Sequence, residues 1–160
     1  MRVEYGASRD GKLDFMDGSF RTAPAADDAA PVTFTVTTGQ RYPNRDTNKG
    51  WKIYEQMLKL DPNFFVHTGD ILYYDQLGKT PALANWHWQR TYSLPTNVEF
   101  HRQVASYFMK DDHDTLKNDC WPGQTYGEIT WEEGLALFRE QVPMGEKTYR
   151  TIRWGRDLQV

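Results

Sequence analysis

The sequence predicts an α/β domain preceded by the remnant of a small N-terminal β-sandwich. Short β-branched or aromatic segments alternate with longer segments whose apolar residues recur at helical spacing, which is typical of a layered α/β fold. We expect the sandwich remnant over residues 1–24, a linker over 25–31 and an incomplete main domain over 32–160. The 160 residues, 39% of them hydrophobic and 14% aromatic, are enough to build a core.

The first 31 residues lack helical periodicity. Residues 1–24 contain short strand-like pieces joined by turns at Asp10-Gly11 and Asp17-Gly18. Residues 23–31 are small or acidic, carry two prolines and have the composition of a linker.

Strands and helices alternate in the main domain. The strands are predicted at Val32–Thr38, Phe64–Val66 and Val104–Met109. The helices are predicted from Trp51 to the Asp61-Pro62 pair, at Pro81–Tyr92 and at Trp131–Gln141. A hairpin is predicted over Thr148–Val160 with its turn at 154–157. Because the last three residues break off an alternating pattern, we expect a fragment with an unpaired strand edge at Val160.

Composition and charge exclude several partner classes. The chain has 22 acidic and 19 basic residues, a net charge of −3 and no run of Lys or Arg, so we expect no nucleic-acid partner. The longest apolar stretch, Phe64-Phe65-Val66, is far short of the roughly 20 residues of a membrane span. The single cysteine, Cys120, rules out an intramolecular disulfide. The opening residues carry no signal-peptide pattern.

Polar residues follow all three predicted strands, at Gly39-Gln40, Gly69-Asp70 and residues 111–114. Because the ligand site of an α/β sheet lies beyond the carboxyl ends of its strands, we expect these residues to converge on one pocket. Carboxylates such as that of Asp70 bind hard cations, and the phenol of Tyr73 suits a ferric or similar ion. A Gly-Asp turn with a capping aspartate is the alternative for this segment alone.

The segment Lys110-Asp111-Asp112-His113-Asp114 places three carboxylates and an imidazole side by side. Like charges at this spacing repel unless a cation compensates them, which favours a metal site. A solvated acidic loop is the alternative.

The two segments together follow the motif order of the calcineurin-like metallophosphoesterases, Gly-Asp-x-x-Tyr and later Asp-His-Asp. The block Phe108–Gln124, with Phe65–Asp70 before it, closely resembles the PhoD-like phosphatases. The resemblance extends from Val32 to the last residue, and residues 18–24 are similar to the end of that family's sandwich domain. It implies a partial metallophosphoesterase-type α/β sandwich, a hydrolase of the alkaline phosphatase D or phosphodiesterase kind, and a periplasmic or secreted full-length parent.

Carried over onto this sequence, the resemblance implies roles for four residues. Asp70 would bridge two metals, and Tyr73 would bind a ferric ion. Asp112 stands at the position of a metal-binding asparagine. His113 matches the histidine that faces the phosphate and is the candidate catalytic residue, stabilising charge or protonating the leaving group.

The sequence departs from the family at Gly39-Gln40, where many members have a metal-binding cysteine before the glutamine. Asp46 is the candidate substitute, and an Asx-turn aspartate is the alternative for it. Oxygen ligands without a thiolate favour Ca, Mn or Mg over an iron site built on sulfur. We therefore expect a divalent or mixed metal pair drawn from Ca, Fe, Mn and Mg.

Other polar residues receive weaker assignments. The candidate substrate-binding residues are Arg90 and Asp111. The guanidinium group of Arg90 can bind a phosphate through two hydrogen bonds. His67, His87 and His101 lie in strand or helical segments, where packing is the favoured interpretation.

The resulting hypothesis is metal-dependent hydrolysis of phosphomonoesters or phosphodiesters by a metal-activated hydroxide. The substrate would be a small-molecule or lipid-linked phosphate ester. Because the family's later metal-binding histidines are missing from this sequence, we expect the 160 residues alone to be inactive. A non-catalytic calcium-binding or interaction module is the alternative, and a glycosidase using Asp70 and Asp112 lacks any further motif.

Overall fold

The computed structural model describes residues 2–5, 14–142, 147 and 149–160. They form a mixed α/β structure with a small parallel sheet, which confirms the predicted α/β class. The strands are β1 Arg2–Tyr5, β2 Asp14–Asp17, β3 Phe34–Thr37, β4 Phe64–His67, β5 Ala105–Phe108, β6 Thr125–Tyr126, β7 Ile129–Thr130, β8 Arg153–Trp154 and β9 Leu158–Gln159. The helices are α1 Lys52–Lys59, α2 Tyr74–Leu77, α3 Pro81–Tyr92, α4 Pro95–His101 and α5 Trp131–Gln141, with a 3-10 turn at Tyr42–Asn44.

The central sheet has the order β3-β4-β5 and is parallel throughout. Val66 of β4 lies between Val36 of β3 and Tyr107 of β5, so all three strands end at the same edge. The remaining strands form the antiparallel pairs β1-β2, β6-β7 and β8-β9. The parallel order therefore brings the loops after β3, β4 and β5 together.

All four residues of β4 are buried, because both faces of this middle strand are covered. Phe65 packs on the α1 and α4 side of the sheet. Phe64 and Val66 pack on the opposite side against Trp154 of the β8-β9 hairpin. The continuous apolar run that predicted this strand is thus explained by burial on both faces.

The helices begin where their capping residues stand. The Thr80 hydroxyl accepts a hydrogen bond from the backbone N–H of Leu83 (3.2 Å), and proline at the first position suits the start of α3. At α5, Thr130 and Glu133 form a reciprocal capping box with distances of 3.2 and 2.8 Å. Both helices match their predicted bounds.

A second core joins α3 and α5 to the loops that follow β4 and β5. It contains Ile71, Leu72, Tyr74, Ala84, Trp88, Leu116, Ile129, Leu137, Phe138 and Val142. The Trp88 indole N–H donates to the Tyr74 hydroxyl at 2.6 Å. A Cβ on Gly134 of α5 would lie 2.0 Å from the Thr115 carbonyl oxygen, so only glycine lets the helix approach this loop. This core therefore packs α3 and α5 against the loops that follow β4 and β5.

Some elements were not delimited from the sequence. The short helix α2 and the bounds of α4 were not predicted, since neither carries a long apolar period. β1 and β2 pair as a hairpin, whereas the expected Asp10-Gly11 turn and Thr148 lie outside the described residues. The backbone groups of Val160 pair with Ile152 at 2.8 and 2.9 Å, so on that side the edge expected to be unpaired is paired. Within the described ranges, no helix is long and apolar enough to cross a bilayer.

Candidate metal centre

The loop after β4 begins with two residues in unusual backbone conformations. Gly69 has a φ of +108°, and Asp70 has a φ of +54°, in the left-handed region. A Cβ on Gly69 would lie 2.7 Å from the Cβ of Asp111, so the absence of a side chain allows the loops after β4 and β5 to touch. A left-handed aspartate costs on the order of 1 kcal/mol, which the surrounding contacts must offset.

Two predicted metal ligands and the predicted catalytic histidine converge at this edge of the sheet. Asp70, Asp112 and His113 each offer one possible ligand atom, and these three atoms lie within 4.8 Å of one another. All three side chains are half-buried. The Tyr73 hydroxyl donates to Asp70 Oδ2 at 3.3 Å, and its ring centroid lies 4.4 Å from that of His113. The structure therefore brings Asp70, Tyr73, Asp112 and His113 together, while their individual roles remain predictions.

The Asp70 carboxylate lacks a partner for one of its oxygens. Oδ1 is buried and accepts no hydrogen bond. Burial raises the pKa of Asp70, and the carboxylates of Asp111 and Asp112 raise it further, against the opposite effect of His113. A buried anionic oxygen with no donor and two acidic neighbours fits a bound cation, which would satisfy it and offset the repulsion.

The Asp112 carboxylate is oriented by backbone donors. It accepts hydrogen bonds from the backbone N–H of His113 at 2.8 Å and from that of Asp119. Asp111 is exposed and accepts from the N–H of Asp112 at 2.8 Å. Asp111, a candidate substrate-binding residue, therefore hydrogen-bonds within its own loop. It is not one of the three converging residues.

A further aspartate contacts His113. Asp75 Oδ2 lies 2.9 Å from Nδ1 of His113, at ion-pair distance, although Nδ1 has no acceptor aligned for a hydrogen bond. The same oxygen accepts the backbone N–H of Asn118 at 3.1 Å. Asp75 follows Asp70 in the sequence, but its contact with His113 depends on packing, so the residue order gave no signal of it.

Asp114 ties the two loops together. Its side chain is fully buried; Oδ1 accepts the N–H of Leu72 at 2.7 Å and Oδ2 accepts that of Asp111 at 3.1 Å. Burial raises the pKa of this carboxyl to about 8 despite these hydrogen bonds. Asp114 therefore positions the residues on either side of it and was not assigned a role from the sequence.

The end of β3 also reaches the centre. The N–H of Gln40 donates to the Asp70 carbonyl at 2.7 Å, and a Cβ on Gly39 would lie 4.0 Å from the Tyr73 hydroxyl. A side chain at position 39 would thus contact the site, and glycine supplies none. Asp46 does not join the converging group; this exposed side chain accepts the N–H of Lys52 at 2.8 Å at the start of α1.

The other three histidines pack inside the protein. His67 and His87 are buried, and His101 is largely enclosed between aromatic rings. Burial lowers the pKa of His67 and of His87 to about 4 and that of His101 to about 3. Each is therefore neutral at neutral pH, and none belongs to the converging group.

Comparison with protein-family models, with curated proteins and with solved structures found no match for this chain. Support for the α/β class and for the Asp-Asp-His group therefore comes from the structure alone.

Proposed function

We propose that this chain contributes a metal centre to the hydrolysis of phosphomonoesters or phosphodiesters. The observation that supports the proposal is the buried, unpartnered Oδ1 of Asp70 within reach of Asp112 and His113. Asp70, Asp112 and the Tyr73 phenol would hold the cations, and these oxygen donors suit Ca, Mn or Mg. The PhoD-like motif order agrees with this assignment.

A bound metal pair would polarise the phosphoryl oxygen and supply hydroxide at neutral pH. The P–O bond to the leaving group breaks as the new P–O bond forms, and the leaving oxygen then needs a proton. In this proposal His113 donates the proton, and Asp75, 2.9 Å from its Nδ1, stabilises the charged form of the ring. Asp112, fixed by two backbone donors, presents its carboxylate without freedom to rotate away.

The proposal is tested first by metal binding. Isothermal titration of the 160-residue chain with Mn²⁺ or Ca²⁺ is expected to show weak binding that Asp70→Asn removes. The asparagine amide has nearly the same size and shape as the aspartate carboxylate, but it carries no negative charge. Asp27→Asn, at an exposed position, is the matched control and should bind as the wild type does. Equal affinity in the wild type and Asp70→Asn would contradict the metal assignment.

Turnover separates the enzyme from a calcium-binding or interaction module. Hydrolysis of bis(4-nitrophenyl) phosphate and 4-nitrophenyl phosphate is measured on the chain and on any longer form that its gene encodes. We expect negligible turnover by the 160 residues and metal-dependent turnover by a form that supplies more ligands. Stable metal binding without turnover in every form would support the non-catalytic module.

A further inference from the structure

A cavity of about 260 Å³ lies beside the metal centre. Arg41 follows β3, Tyr73 follows β4, and His87 and Arg90 stand on α3; all four line the cavity. Tyr73 is shared with the metal centre, because its hydroxyl donates to Asp70 at 3.3 Å. One side chain therefore separates the cavity from the bridging carboxylate.

The guanidinium groups at this cavity have no acidic partner. The ion pairs among the described residues involve other arginines, His113 and their acids, and none includes Arg41, Arg45 or Arg90. Arg90 lies over the rings of Tyr42 (4.0 Å) and Trp86 (4.5 Å), and Arg45 lies over the Tyr42 ring at 4.3 Å. Stacking holds Arg90 in place, and Arg41 donates a hydrogen bond to the neutral Oε1 of Gln76. Neither contact neutralises the positive charge.

Several polar atoms around the cavity are buried without a partner. Among the residues that line the cavity, they are the Nε atoms of Arg41 and Arg90 and the Nε2 atom of His87. A buried donor without an acceptor is destabilising, so a group that accepts from these atoms would be stabilising. Burial lowers the pKa of Arg90, which reflects the cost of keeping this cation away from water. An oxyanion supplies both the missing acceptors and the missing charge.

We propose that this cavity, which we call the arginine subsite, binds a second phosphate group of the substrate through Arg41 and Arg90. The inference rests on the proposed function for the phosphate that reacts at the metal centre. It defines the substrate class as a small organic molecule with two phosphate groups a few bonds apart, in preference to a phosphoester with a neutral or lipid tail. His87, neutral at neutral pH, adds a hydrogen-bonding nitrogen but no charge.

The first experiment uses inorganic phosphate as the probe and EDTA to remove metals. Calorimetric titration of the 160-residue chain is expected to show phosphate binding that weakens by about tenfold in Arg41→Gln and in Arg90→Gln. Arg90→Lys should lose about as much, since lysine lacks the planar fork. Arg139→Gln, at an exposed position on α5, is the matched control and should bind like the wild type.

A second measurement needs only the wild-type protein. Phenylglyoxal modifies accessible arginines, and mass spectrometry locates the modified residues. Phosphate should protect Arg41 and Arg90 and leave Arg139 unprotected. Absence of phosphate binding by the wild type, or equal protection of all three arginines, would overturn the subsite.

The third experiment separates the subsite from the metal centre. With Mn²⁺ present, propane-1,3-diyl bisphosphate should bind more tightly than propyl phosphate, and Arg41→Gln should abolish the difference. Asp70→Asn should keep phosphate binding in EDTA, because its change lies at the metal centre. Phosphate binding by the wild type in EDTA, without any metal binding by the wild type, would refute the proposed function alone. An unchanged bisphosphate preference in Arg41→Gln would refute the subsite alone.

Discussion

At the scale of single residues, the imidazole of His113 is held by contacts from one segment of the chain. Asp75 lies 2.9 Å from Nδ1, the Tyr73 ring centroid lies 4.4 Å from the imidazole centroid, and the His113 carbonyl accepts the N–H of Tyr74 at 3.2 Å. Residues 73–75 therefore contact both the backbone and the ring of His113.

His113→Ala is expected to lower turnover far more than metal content. General acid catalysis contributes about 10²- to 10⁴-fold, and the loss should fall in that range. Asp75→Asn should give a smaller loss, because the ring remains but is less well oriented. Turnover and bound metal are measured together on a form of the protein that is active. A parallel fall of metal content and rate in His113→Ala would assign the residue as a ligand instead.

Among the secondary-structure elements, two loops that touch at Gly69 and Asp111 carry the candidate metal centre. Asp114 joins the same loops through Leu72 and Asp111, and α5 packs behind them at Gly134. The loops are thus held at fixed separation by contacts that do not involve the ligands themselves.

Gly69→Ala is expected to destabilise the fold and to weaken metal binding. An alanine at a positive φ costs roughly 1–2 kcal/mol, and the contact of 2.7 Å with Asp111 adds strain that moves the loops apart. Gly123→Ala is the matched control, since its φ is +88° and an added Cβ meets nothing within 4 Å. Chemical denaturation and metal titration should therefore show a larger loss for position 69. Equal losses at both positions would mean that the close approach has no effect.

The side chain of His101, the last residue of α4, packs among several aromatic rings. The His101 ring lies 5.2–5.7 Å, centroid to centroid, from the rings of Tyr54, Phe65, Tyr92, Phe100 and Phe108. Its Nδ1 contacts the Ser106 hydroxyl at 2.7 Å. Burial lowers its pKa to about 3, and the neighbouring His67 adds to the effect.

Acid should therefore weaken the packing of α4. The folded-state pKa of His101 lies below the ordinary value of 6.5, so the unfolded chain takes up the proton first as the pH falls. The corresponding stability is present above pH 6.5 and is lost progressively towards pH 3. We expect His101→Gln to show a shallower decline of the free energy of unfolding between pH 6.5 and 4 than the wild type. An identical pH dependence in the two proteins would show that His101 does not contribute.

At the scale of the whole molecule, the sheet leaves an apolar area exposed at β3. Phe34 and Val36 are 43% and 50% exposed, and no strand in the described part of the chain pairs with the outer edge of β3. Exposed apolar edge strands promote association between chains.

The isolated chain is accordingly expected to associate through β3. Val36→Lys places a charge on this edge and should raise the monomer fraction in light scattering coupled to size-exclusion chromatography. Leu60→Lys is the matched control, because Leu60 is 60% exposed after α1 and away from the sheet edge. If both substitutions change the monomer fraction equally, the association does not involve β3.

Periodicity and capping residues predicted the secondary-structure elements that are determined by neighbouring residues in the sequence. The apolar period and capping residues indicated α3 and α5 at their observed bounds. The continuous run Phe64–Val66 indicated the strand β4, and the structure shows that this strand is buried. Short elements such as α2 escaped prediction because four residues carry no measurable period. The candidate ligands Asp70, Tyr73 and Asp112 and the candidate catalytic residue His113 were identified from residue type and order at strand ends and from the family resemblance.

Periodicity and residue type along the chain predicted the α/β class and the residues that meet at the candidate metal centre, because both are local properties of the sequence. Packing in the folded protein established that Asp75 contacts His113 and that Asp114 joins two loops. It also established that Asp46 accepts the N–H of Lys52 at the start of α1 instead of joining the converging group. It also decided that Arg41 and Arg90 share a cavity beside Tyr73. These contacts join segments whose separation along the chain is large or whose side-chain directions depend on packing, and no local pattern encodes which of many exposed polar groups the folded chain brings within a few ångströms of one another.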